Sequence, residues 1–109
     1  MKIILCDEEM PQVSIFITAA VEKETGLDIA VLEQENEDFP GSLGREFHYH
    51  LHVEPQYLDK LTEALMVSSR LTRLEELLLE RFSGINGLAR IQAFCEEAQV
   101  PFSCEAPEL

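Results

Sequence analysis

The chain has 109 residues, 46% apolar and 27% charged, enough for one domain with a single modest core and too short for two. Its 21 acids against 8 bases give a net charge of −13; with no Lys/Arg cluster to release counterions, that balance argues against direct nucleic-acid binding and against anionic membranes. The field comes from the two ends, since residues 1–44 carry a net −8, residues 45–90 a net −1 and residues 91–109 a net −4.

Lys2 to Cys6 reads as a short strand buried on both faces. Its apolar run stops at Asp7, too soon for a signal segment. Asp7-Glu8-Glu9-Met10-Pro11 reads as a helix start, with carboxylates near the positive end of a helix dipole and proline in the first turn. Pro11 to Thr25 places Val13, Phe16, Ile17, Ala20 and Val21 at helical spacing, with Gly26 as a left-handed stop. Ile15, β-branched between Val13 and Ile17, makes the helix propensity of this segment only fair. Leu27 to Leu32 reads as a second buried strand, and strand, helix and strand together predict a right-handed β-α-β unit with parallel strands.

Glu33 to Asp38, followed by Phe39-Pro40-Gly41-Ser42-Leu43-Gly44, reads as a long solvated connection. Glu35, Glu37, Asp38 and Phe39 are the candidate partner-binding residues: an acidic rim speeds association with a basic surface, and an aromatic beside it supplies an anchor.

Arg45 to Glu54 holds all three histidines. As a strand it sends Phe47, Tyr49, Leu51 and Val53 to one face and Glu46, His48, His50, His52 and Glu54 to the other. His48, His50 and His52 are therefore candidate metal ligands. Neighbours two apart on a strand lie about 6.6 Å apart at the backbone, close enough for two imidazoles to share a zinc ion. A third ligand would have to come from elsewhere, and the competing reading is the polar face of a half-exposed strand.

Pro55 to Phe82 reads as two helices or one bent helix, with the apolar stripe losing phase at Ser68-Ser69 and a capping box at Thr72 to Glu75. Asn86-Gly87 opens a further amphipathic helix through Leu88, Ile91, Phe94, Cys95 and Ala98. Val100-Pro101-Phe102 reads as an edge strand or a core cover, and residues 105–109 as a flexible acidic tail.

The expected fold is a single α+β domain over residues 1–104. Its sheet is mixed, with three or four strands in the order β-α-β-β-α-α, and helices pack on at least one face. Cys6, Cys95 and Cys104, odd in number and without metal-type spacing, fit a reducing cytoplasm. There is no Gly-rich phosphate loop and no Ser-centred elbow, and Cys6 reads as a small buried hydrophobe rather than a nucleophile. The expected function is non-catalytic: an acidic binding or regulatory protein that engages a basic protein surface, of inhibitor, antitoxin, immunity or nucleic-acid-mimic type. The alternatives are a zinc-binding domain centred on the histidine strand, and a homodimeric small-molecule binder with the histidine face at its interface.

Overall fold

In the computed structural model, which describes residues 1–106, the strands form one antiparallel meander. Strands β1 (Lys2–Glu9), β2 (Val13–Glu22), β3 (Gly26–Glu35), β4 (Glu46–Val53) and β5 (Ser103–Glu105) pair in chain order. A 3-10 turn at Pro55–Tyr57 and three helices, α1 (Leu58–Met66), α2 (Leu74–Phe82) and α3 (Gly87–Ala98), lie between β4 and β5.

This overturns the expected β-α-β unit and the mixed sheet of three or four strands. The fold is α+β, but the sheet has five strands, none of them parallel, and the segment expected to be the first helix is the ten-residue strand β2. The physical reason lies in its side chains. Val13, Ile15, Ile17, Thr18 and Val21 are β-branched, stiff at χ1 and suited to a pleated surface. Alternation also explains its burial: Ile17 and Ala19 are wholly covered, with Ile15 and Val21 packed beside them. A helical stripe could be drawn through this segment only because both of its faces carry apolar residues. Asp7, Glu8 and Glu9 accordingly form the extended end of β1 rather than a helix cap.

Gly26, expected to stop a helix, instead begins β3 opposite Glu22 with φ of 98°. A Cβ at this position would also collide with the carbonyl oxygen of Val53 on β4. Turn conformation and close backbone approach both demand glycine here.

β1 carries a bulge between Ile4 and Cys6, so that Leu5 and Cys6 are both buried in succession. The Leu5 carbonyl, facing away from β2, accepts a hydrogen bond of 2.9 Å from the Gly84 N–H in the loop between α2 and α3. The core is one layer deep. Ile17, Leu27, Ile29, Leu51 and Val53 of the sheet meet Leu61, Leu65, Leu77, Leu78, Ile91 and Cys95 of the helices. All three helices cover the same face.

Residues 55–82 form two helices separated at 67–73. The capping box does not form: Arg73 occupies the α2 N-cap without a side-chain cap bond. α3 begins at Gly87 and ends on Gln99 in the left-handed conformation. The edge strand falls at Ser103–Glu105, just beyond Phe102, and Glu105 pairs with His50. Residues 107–109 of the expected tail lie outside the described residues.

Candidate functional site

At one end of the sheet, two acidic segments that are distant in sequence converge. The link is Asn36, whose Nδ2 donates to the carbonyls of Met10 (2.5 Å) and Pro11 (3.2 Å) in the β1–β2 turn. The Asn36 N–H donates to the Gln12 carbonyl at 3.0 Å, and its Oδ1 accepts from the Ser14 hydroxyl at 3.1 Å. The loop after β3 is thereby clamped onto the β1–β2 hairpin. Between them opens a cleft of about 380 Å³ lined by Glu9, Pro11, Asn36, Glu37, Asp38, Phe39 and Pro40.

Three of the four sequence-derived partner-binding residues, Glu37, Asp38 and Phe39, line this cleft. The two carboxylates are exposed, and Phe39 is half-buried. Glu35 stands apart from it. Its Oε1 accepts from Arg45 Nε at 2.6 Å and its Oε2 from the Leu43 N–H at 3.2 Å, closing the base of the loop. The hydrogen bond from Arg45 leads the interactions that hold the Glu35 carboxyl below its ordinary pKa, with the Leu43 N–H adding to it. A helix start over Asp7 to Glu9 would point Glu9 away from this cleft; as the end of β1 in a hairpin with β2, it lines it.

The histidine strand lies where expected, as β4, with its imidazoles on the face opposite the helices. The residue that organises them is Asp28 of β3, directly across from His52 in the ladder. Asp28 Oδ1 lies 2.7 Å from His52 Nδ1 and 3.1 Å from His50 Nε2, and the two rings stack with centroids 6.5 Å apart. His48 is far more exposed, and its imidazole lies 3.6 Å from the Glu46 carboxylate. Among the described residues, no group of three or more His, Cys, Asp or Glu side chains is arranged to hold a metal ion. In sequence Asp28 stands out only as the lone acid in an apolar run; antiparallel register against β4 exposes its role.

The cysteines are not activated. Burial first, then the charges of Glu8 and Asp7, push the Cys6 thiol up. Its place within a strand also removes the helix terminus that would have favoured a thiolate. Burial raises Cys95 to about 11, with Cys104 and Glu96 adding to it. Burial and Glu96 raise Cys104.

Comparison with protein-family models, curated proteins and solved structures finds no match to this chain. No helix among the described residues is long and apolar enough to cross a membrane.

Proposed function

We propose that this is a non-catalytic, cytoplasmic binding protein that engages a basic protein surface through the acidic end of its sheet. The observation that carries the reading is the convergence of Glu9, Glu37 and Asp38, from segments far apart in the chain, around one cleft that also presents Phe39, Pro11 and Pro40. Exposed carboxylates steer a cationic partner and select its orientation. The aromatic and proline rings offer the aliphatic stems of Lys or Arg an apolar wall. Arg45, the nearest base of the loop, is engaged by Glu35. Unactivated thiols argue against cysteine nucleophilic chemistry and are consistent with a non-catalytic role.

The test compares wild type with Glu9→Gln/Glu37→Gln/Asp38→Asn, a variant that keeps shape and removes charge. Both are immobilised and offered a cell extract at low salt, then eluted with a salt gradient. The wild type should retain a basic protein that elutes as salt screens the contact, and the variant should release it early or fail to hold it. Equal retention by both would sink the proposal.

A further inference from the structure

All three helices cover one face of the sheet; among the described residues no helix covers the other, where Ala30 is exposed, Phe16 and Leu32 are half-buried and Thr18 is 8% exposed. At its centre are Phe16, Thr18, Ala30 and Leu32, which with His48 and His50 line a shallow depression of about 250 Å³. Beside them on β1 stands Ile4, 55% exposed. An apolar centre with polar groups around it is the anatomy of an interface core and rim. The occupant is indicated by how hydrogen-bonding groups are laid out in the register. One row across the sheet reads Asp7, Phe16, Leu32, His48, and the next reads Ile4, Thr18, Ala30, His50. The β1 side of the first row ends in an acid, the β4 side ends in a histidine, and two apolar residues lie between.

We infer that this open face is the interface of a homodimer, formed sheet on sheet about a twofold axis running along the strands between β2 and β3. That operation lays each row on its own reverse. Phe16 of one copy faces Leu32 of the other, and Asp7 of one faces His48 of the other, twice over, as an isologous contact requires. Elsewhere the −13 charge repels a second copy. The footprint of four strands, roughly 19 Å wide and 27 Å long, is about 500 Å² on each copy. The total of about 1,000 Å² reaches the lower bound for a specific interface. Glu9 falls opposite Glu46, Lys2 opposite His52 and Asp28 opposite Ala20, unmatched pairings in the rows that bound the two central ones.

Pairing along the outer edge of β1 is the competing geometry, and the bulge at Leu5 together with the Gly84 bond works against it. The sheet-on-sheet dimer keeps strand height, so it presents both acidic clefts on the same side. It does not depend on what those clefts bind, and salt separates the two: screening strengthens association of two acidic chains and weakens capture of a basic one.

The test is sedimentation equilibrium of the whole chain, at low and at moderate salt, on wild type and three variants. Wild type should be a dimer that tightens with salt. Leu32→Glu should be monomeric, with an unchanged circular dichroism spectrum showing that it folds. His48→Glu, at an exposed site, should weaken the dimer about tenfold, and adding Asp7→Lys should restore it. Wild type that stays monomeric at every concentration overturns the inference. So does a dimer indifferent to Leu32→Glu and His48→Glu, which would place the contact on another surface.

Discussion

Asp28 Oδ1 lies 2.7 Å from His52 Nδ1 across the β3–β4 ladder and 3.1 Å from His50 Nε2. One carboxylate oxygen thus orients two imidazoles on an otherwise open face. The group is partly exposed, so the contribution is modest: Asp28→Ala should cost about 0.5–1 kcal/mol. In a double-mutant cycle with His52→Ala, the two losses should sum to more than the double variant loses, because each single change breaks the same contact. Urea midpoints of the four proteins decide it, and strict additivity would mean the contact contributes nothing.

Gly26 is held both by its positive φ and by the carbonyl of Val53. Gly26→Ala should destabilise by more than about 1 kcal/mol, since alanine strains the turn and its methyl presses on β4. Gly41, also at positive φ but with nothing near its would-be Cβ, is the control, and Gly41→Ala should cost less. Thermal midpoints that fall in the opposite order would refute the collision.

Arg45 holds Glu35 below its ordinary pKa of 4.5. A carboxyl depressed in the folded state stabilises fully above its unfolded pKa, and that stabilisation is lost as pH falls through the lower folded value. Wild type should therefore lose stability on acidification below about pH 4.5 more steeply than Glu35→Gln, which has no proton to take up at this site. Urea midpoints of the two against pH should converge on the acid side. Parallel curves would show that Arg45 leaves the titration of Glu35 untouched.

What the sequence revealed and what it hid divide along one physical line. Period-two alternation in Glu46 to Glu54 has a strongly polar face, so β4 and its histidine stripe were legible residue by residue. β2 hid because Ser14, Phe16, Thr18 and Ala20 form a face nearly as apolar as its core side, and two periods then fit equally well. The β-branched Ile15 was the dissenting signal. Misreading β2 carried the neighbours with it: Glu9 was lost to a helix cap and Asp28 to a parallel strand, and antiparallel register makes sense of both. That Glu37, Asp38 and Phe39 lie in the connection after β3 was legible from composition. That Glu35 turns inward to Arg45 depends on loop closure, which no local pattern encodes.

Of the three thiols, Cys104 is exposed and Cys6 and Cys95 are buried. A thiol reagent at mildly alkaline pH should modify one cysteine in the native protein and all three after unfolding. Cys104→Ser should abolish the native reaction. Because partial burial and, after it, the charge of Glu96 raise the Cys104 thiol, it should react more slowly than a free cysteine, and Glu96→Gln should speed it modestly. Two or more thiols reacting at once in the folded protein would contradict the burial of the other pair.

The meander order has a consequence in time. From β1 to β4 every strand meets the one just made; β1, β2 and β3 are joined by short reversals and β4 by the longer loop over residues 36–45, so little loop entropy opposes most of the sheet. β5 is different: it reaches β4 only after three helices have intervened, and it does so with three residues. Within the sheet its registry with His50 to His52 is the long-range pairing, and it should be completed after α1, α2 and α3 rest on the sheet. In pulsed amide exchange during refolding, protection across β2 and β3 should appear before protection along β5. The last strand then acts as a latch on a domain already assembled.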